Sequence, residues 1–219
     1  MVRPFGFPYP TRMALILLPD NGLFVWSPIA LTSAMRREVD ALGPVHCLVA
    51  PNLLHHLFLA EWRQAYPQAR LYAAPELARR RRDLVFDGVL GDAAEPDWAA
   101  DIDQIAVRGS LAMTEIVFFH RLSRTAIFAD LIQNFPPDWF HGWRRIVAGL
   151  DGIVAPHPGA PREWRASFVD RCAARAALGR ILAWPIERVL IAHGEPATSD
   201  GGAFVRRAFA WLLGRGGTG

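Results

Sequence analysis

At 219 residues, with 52% hydrophobic and 21% charged residues, the chain is long enough to bury a sizeable core and too apolar for extended disorder. Its formal net charge is only +3, and all 24 basic residues are arginine, so a Schiff-base lysine, a P-loop lysine and a Ser–Lys dyad are excluded. No apolar run approaches the roughly 20 residues of a membrane helix, and Met1 to Thr11 lacks the apolar stretch of a secretory signal; the expected setting is the cytoplasm, with no membrane partner.

The chain opens as a hairpin. Met13–Leu18 and Leu23–Trp26 are apolar runs separated by Pro19-Asp20-Asn21-Gly22, whose Asn-Gly pair signals a tight turn. Thr32 is placed to cap a helix that runs to Leu42, with Met35, Val39 and Leu42 at helical spacing and Gly43-Pro44 to stop it. Val45–Ala50 reads as a buried strand, Leu53–Tyr66 as a helix, Leu71–Ala74 as a strand and Pro75–Arg82 as a short helix. This βαβ rhythm favours a sheet covered by helices. Ile102–Val107, Glu115–His120 and Thr125–Ala129 then form an antiparallel meander, the last two joined by the polar turn Arg121–Arg124. Trp139–Leu150 reads as helix, Gly152–Ala155 as strand, Arg162–Leu182 as one long helix, Arg188–Ala192 as a buried strand and Ala203–Leu213 as an amphipathic helix. Two mixed halves of this kind predict two sheets packed together with helices outside. The expected organisation is one domain over 1–213 and a flexible glycine-rich tail at 214–219.

Most polar clusters carry no chemistry by themselves. Cys47 and Cys172 read as buried thiols with no CxxC partner. The run Arg79-Arg80-Arg81-Arg82 is a solvated helix end without the interleaved aromatics of a nucleic-acid patch. No Gly-x-Ser-x-Gly, GxGxxG or P-loop motif occurs. Among the seven histidines, His55 and His56 follow the strand Val45–Ala50, and His193 follows Val189–Ala192 directly; Asp130 ends Thr125–Ala129 in the same manner. Loops at strand ends are where rigid scaffolds build sites, and three imidazoles with a carboxylate suit a divalent metal. The bare spacing does not separate such a site from a capping or packed histidine pair. His120 is expected at the far end of a hairpin, away from the pocket, and His46 as a core or rim residue; His157 follows a strand end, from which reach to the pocket mouth is the lesser alternative.

The order of these features resembles the metallo-β-lactamase superfamily: an opening hairpin, a helix, a strand, a His-bearing loop, a later hairpin ending in Asp and a final strand ending in His-Gly. Trp26-Ser27-Pro28, Leu42-Gly43-Pro44-Val45, Ala50-Pro51-Asn52 with His55-His56, and Ser123-Arg124-Thr125 followed by Asp130-Leu131 are similar to one uncharacterised branch of it, domain of unknown function 4336. The resemblance extends from Pro8 to Leu213 and implies an α/β fold, a four-layer αββα sandwich. The superfamily's signature loop, His-x-His-x-Asp-His, falls on Pro51 to His56. Pro51 and Leu53 replace the two histidines of the first metal site, and Gly109-Ser110 stands where a Gly-His motif is expected. His55 takes the Asp position and His56 keeps the final His. The resemblance thus implies loss of the first site and retention of a second built from His55, His56, Asp130 and His193.

Such a set suits one divalent ion, Zn²⁺ or Fe²⁺, rather than Mg²⁺ or Ca²⁺; the open alternative is that the histidines are relics and no metal binds. The corresponding functions are a mononuclear metal-dependent hydrolase of esters, lactones or thioesters, or a non-catalytic relative that binds a small molecule or serves as a scaffold. In both, the partner is a small-molecule ligand or substrate and not nucleic acid.

Overall fold

The computed structural model describes residues 9–214; of the tail expected at 214–219, only Gly214 is among them. The first sheet takes its strands in chain order: β1 (Ala14–Leu17), β2 (Leu23–Trp26), β3 (Val45–Ala50), β4 (Arg70–Ala73) and the two-residue β5 (Gly88–Val89). β1 and β2 form the antiparallel hairpin, and β2 to β5 run parallel. Parallel neighbours need crossovers, supplied by α1 (Ser33–Leu42), α2 (Leu59–Ala65) and α3 (Pro75–Arg80). The second sheet holds β6 (Ile102–Val107), β7 (Glu115–His120), β8 (Thr125–Asn134) and β9 (Arg188–Gly194). Its first three strands are an antiparallel meander; β9 returns parallel to β8 after α4 (Trp143–Asp151), α5 (Arg162–Ser167) and α6 (Arg171–Leu182). The described chain closes with α7 (Gly201–Ala208) and α8 (Ala210–Leu213).

Side-chain alternation along the strands explains the layering. In β2, Phe24 and Trp26 face Ile116, Phe118 and Ile127 of the opposite sheet, while Leu23 and Val25 pack outward with Val39, Leu59, Trp62 and Leu77. Phe24 sets its edge against Trp98 at 5.0 Å and Phe118 at 5.5 Å, an arrangement the ring quadrupoles favour. On the far side Val117, Phe119 and Phe128 pack against Leu178 and Ile181 of α6 and Phe204 and Val205 of α7. Helices therefore cover both outer faces of two face-to-face sheets, which is the expected αββα sandwich. All four residues of β2 are buried because both faces are covered.

Several boundaries differ from the sequence expectation, each for a local reason. The helix expected from Leu53 begins only at Leu59, because the Asn52 Oδ1 accepts the amides of Leu54 and His55 and holds the intervening chain in turns. The helix expected over Arg162–Leu182 is broken at Phe168–Asp170. There the Gly109 carbonyl takes the Val169 and Asp170 amides at 2.9 and 3.1 Å, and Asp170 caps a new helix by accepting the Ala173 amide at 2.9 Å. Gly152–Ala155 contributes only a single bridge, Val154 to Phe135, rather than a strand. Replacing Asp170 by Ala should lower stability by about 1 kcal/mol, the usual worth of an N-cap; urea unfolding reads this directly, and an unchanged midpoint would show the cap to be idle.

Candidate metal centre

Four pieces of chain meet at one end of the sheets. The first is β8, whose pairing with β9 slips between Phe128↔Ile191 and Gln133↔His193, so that residues 129–132 stand opposite Ala192 alone. A bulge of this kind re-aims side chains, and here it turns Asp130 toward the cavity wall. The bulge leaves backbone amides without a ladder partner, and the buried Glu115 carboxylate accepts them: Ala129 at 2.8 Å, Asp130 at 2.8 Å and Leu131 at 3.2 Å. Glu115 begins β7 and is 1% exposed. Burial, reinforced by the nearby Asp130 charge, pushes its carboxyl up to about 7, while the donors it accepts pull the other way.

The second piece is the loop after β3. Asn52, fully buried, donates to Asp130 Oδ2 at 2.7 Å and to Glu115 Oε2 at 3.1 Å, while its carbonyl shapes the turn that presents His55. One amide thus fixes the position of two carboxylates and one imidazole. The third is the end of β2, where Ser27 adopts a positive φ of 52° and places Oγ 2.5 Å from His55 Nδ1. Trp26 stacks beneath the same ring at 6.0 Å. The fourth is the end of β9. His193 Nδ1 donates to the Pro10 carbonyl at 2.8 Å, and Tyr9 sets its ring edge-on to the imidazole at 5.5 Å. Arg12 bonds the carbonyls of Ile191 and Gly194, tying the same segment to the strand end.

The result is a cluster of His55, Asp130 and His193 whose donor atoms all lie within 4.8 Å of one another. His55 Nε2 is 3.2 Å from Asp130 Oδ2, and His193 Nε2 is 3.2 Å from Asp130 Oδ1. Burial would raise the Asp130 carboxyl, but the charges and hydrogen bonds of His55 and His193 outweigh it and hold the group well below the usual carboxylate range. Burial would likewise lower His193, yet the Asp130 hydrogen bond and charge prevail and its pKa is raised.

This donor set fits a metal ion on chemical grounds. A carbonyl oxygen only accepts, so Pro10 requires the proton of His193 to sit on Nδ1, leaving Nε2 to present its lone pair to an ion. Ser27 can hold His55 in the same tautomer. Ligand imidazoles characteristically have the second nitrogen so anchored. Each imidazole Nε2 stands 3.2 Å from a different Asp130 oxygen, close to the roughly 3.3–3.6 Å between ligands of a tetrahedral ion bound at 2.0–2.2 Å, and all three donors lie within 4.8 Å, so small side-chain shifts would bring them onto one ion.

His56 is not brought into this group. Its Nδ1 accepts from Arg81 Nη1 at 2.8 Å, and Arg81 also reaches the His56 carbonyl at 3.3 Å. Burial and then the Arg81 charge lower the His56 pKa. The ring lines the same cavity, but the sequence placed it among the ligands and the structure gives it another partner. The positions matched to the other site hold no clustered donors: Leu53 packs with the outer core, and Ser110 Oγ bonds Ser167 Oγ at 2.7 Å. His120 bonds Ser123 Oγ at 2.8 Å in the hairpin turn, and His157 lines a separate cavity of about 310 Å³. Asn52 and Glu115 were missed as site residues; the one available signal was a carboxylate opening an otherwise apolar strand.

The cluster lies in the wall of a cavity of about 850 Å³, lined also by Ser27, Gln133, Asp151 and Glu163. Gly194, next to His193, permits a close approach of chain: φ is +94°, and a Cβ there would stand 2.2 Å from the Asn134 carbonyl oxygen. Gly194→Ala should cost at least about 2 kcal/mol and displace the adjacent His193, through both backbone strain and overlap. A melting curve checks it, and wild-type stability would contradict the close approach.

Two stacked sheets flanked by helices, with a His–Asp–His cluster at the strand ends, define the metallo-β-lactamase-like fold. Solved structures agree: a metallo-β-lactamase from Pontibacter korlensis shares 10% identity at a TM-score of 0.60 over 94% of this chain and 89% of that one. A second, from Hirschia baltica, shares 14% at 0.59 over 96% and 89%, and one from Erythrobacter litoralis shares 14% at 0.60 over 94% and 86%. At such identities the likeness is one of fold. The chain belongs to the family described as Domain of unknown function (DUF4336), whose model matches residues 6–141, more than half its length. No curated protein matches it. No helix among the described residues is long and apolar enough to cross a membrane.

Proposed function

We propose that this protein is a mononuclear metal-dependent hydrolase acting on the carbonyl of an ester, lactone or thioester. The observation that carries this is the convergence of His55, Asp130 and His193 in the wall of a ligand-sized cavity, with the outer nitrogens anchored by Ser27 and Pro10. Three protein ligands and an open position are the pattern of catalytic rather than structural zinc. When bound, the ion supplies a water of lowered pKa and polarises the carbonyl under attack. The chain's own residues do the rest. Asp130 contributes the single ligand charge, His55 and His193 bind as neutral imidazoles through Nε2, and Asn52 and Glu115 hold Asp130 in place. Pro51, Leu53 and Ser110 offer no imidazole for a first site, so the two-metal chemistry of phosphodiester or β-lactam cleavage is not part of the proposal. The occupant is a small molecule, in keeping with a cavity of about 850 Å³ lined by apolar and a few polar side chains.

A second reading has an observation of its own. Without an ion the network is self-consistent, because Asp130 can accept from protonated His55 and His193 at once. A non-catalytic small-molecule-binding or scaffold protein would keep this arrangement. The test is hydrolysis of aryl esters, lactones and acyl thioesters by chelator-treated protein before and after Zn²⁺ or Fe²⁺ is restored. Turnover that appears only with the ion supports the hydrolase; an ion-saturated protein inert toward all three favours the binding role.

A further inference from the structure

The cavity differs in charge from the molecule that carries it. Although the chain holds 24 basic residues, all arginine, and a net charge of +3, no arginine among the described residues lines the cavity, whereas Asp130, Asp151 and Glu163 all do. Asp130 is engaged by the two histidines. Asp151 and Glu163 are not: neither carboxylate has a hydrogen-bond or ion-pair partner among the described residues. Arg165 instead donates to the backbone carbonyls of Ala160, Gly152 and Asp151, and the Arg162 and Arg165 charges reach the Asp151 carboxylate only through space. Asp151 is also the last residue of α4, where the carbonyl-rich end of the helix disfavours an anion. Burial and then the Glu163 charge raise the Asp151 pKa against the opposing charges of Arg162 and Arg165, so two carboxylates without a direct cationic partner, one of them at the wrong helix end, leave the site negative.

A second, independent feature has the same polarity. Gln133 is 3% exposed, lines the cavity, and its buried Oε1 has no hydrogen-bond partner. Its Cα pairs with that of His193 across β8 and β9, so the amide stands beside the metal ligands. An unpaired buried carbonyl costs about 1–3 kcal/mol, and this one, enclosed behind the wall, adds its negative end to the field of the cavity. Tyr9 senses the same field: burial, then Glu163, Asp151 and Asp130 together push its hydroxyl up to about 12. Leu54, Leu57, Phe58, Val147 and Trp164 supply apolar wall to the same cavity.

We infer that the cavity selects an amphipathic organic cation: a ligand with an apolar body along Leu54, Phe58, Val147 and Trp164 and a positively charged end beside Asp151 and Glu163. For the hydrolase this names the substrate class, a cationic ester, lactone or thioester with its carbonyl at the His55–Asp130–His193 end; in that respect it rests on the function proposed above. It also disfavours anionic substrates, since no guanidinium among the described residues lines the cavity to receive a carboxylate or phosphate.

The test uses three probes of one chain length that do not hydrolyse: hexyltrimethylammonium, hexanol and hexanesulfonate. Titrations followed by NMR are run on the full-length protein, both chelator-treated and ion-loaded, so that the charge preference is read independently of any metal. Hexyltrimethylammonium should bind about tenfold more tightly than hexanol, the size expected of a partly solvated ion pair, and hexanesulfonate more weakly than hexanol. The preference should shrink with added salt and be largely lost in Asp151→Asn/Glu163→Gln. Glu163→Gln alone, at an exposed position that should not disturb folding, should reduce it in part. Affinity for the divalent ion should stay the same in these variants, which separates this inference from the hydrolase proposal. Equal or tighter binding of the sulfonate, no binding of any probe, or a cation preference that survives both substitutions would overturn it.

Discussion

Replacing His193 by alanine should lower affinity for Zn²⁺ or Fe²⁺ by on the order of 100-fold or more, while His56→Ala should leave it within about threefold. The first figure follows from the loss of a direct ligand, since even outer partners of ligands cost about 10–100-fold when removed. His193 has its free nitrogen 3.2 Å from Asp130 and its protonated one fixed on Pro10, so it is held in place for an ion. His56 already spends its Nδ1 on Arg81 and stands outside the three-residue group. Competition titration against a chromogenic chelator measures both. Comparable losses at the two positions would mean that His56 swings in to become a ligand, at the expense of its Arg81 contact.

The second large effect concerns stability. Glu115→Ala should destabilise the protein by about 3–6 kcal/mol, because three backbone amides and the Asn52 side chain lose their acceptor in a buried site and each orphaned donor costs about 1–3 kcal/mol. The bulge that aims Asp130 depends on those bonds, so divalent-ion affinity should fall with stability. Glu115→Gln keeps an acceptor but brings an amide donor among donors, and should cost less than the alanine change. Urea unfolding of both variants decides this; an alanine variant within 1 kcal/mol of wild type would show that water or the β9 edge can take over the amides.

What could be read from the sequence followed from periodicity and turn chemistry. Asn21-Gly22 marked the opening hairpin, Thr32 marked the start of α1, and Val45–Ala50, apolar except for His46, marked a buried strand. These are local signals, and the structure keeps them. β5 is too short to have a pattern, and the end of β8 is not a strand end at all: Asp130 lies within a bulge that nothing in Ala129-Asp130-Leu131 announces. The helix boundary near Leu53 failed because Asn52 competes for the backbone amides, a choice driven by its buried bonds to Glu115 and Asp130 over 60 residues away. The candidate site divides along the same line. His55, Asp130 and His193 stood out by their places at expected strand ends and by resemblance to the superfamily, but their convergence and the exclusion of His56 are decided by Ser27, Pro10 and Arg81, whose contacts span 25 to 183 residues. Pairings at that separation leave no trace in a single sequence.

The central claim, one divalent ion held by His55, Asp130 and His193, is tested most directly by counting ions. Chelator-stripped protein is incubated with Zn²⁺ or Fe²⁺, passed through a desalting column and analysed by inductively coupled plasma mass spectrometry, alongside Asp130→Asn and His193→Ala. One ion per chain in the wild type and none retained by either variant is the expected result. Two ions per chain, none in the wild type, or full retention by the variants would contradict it.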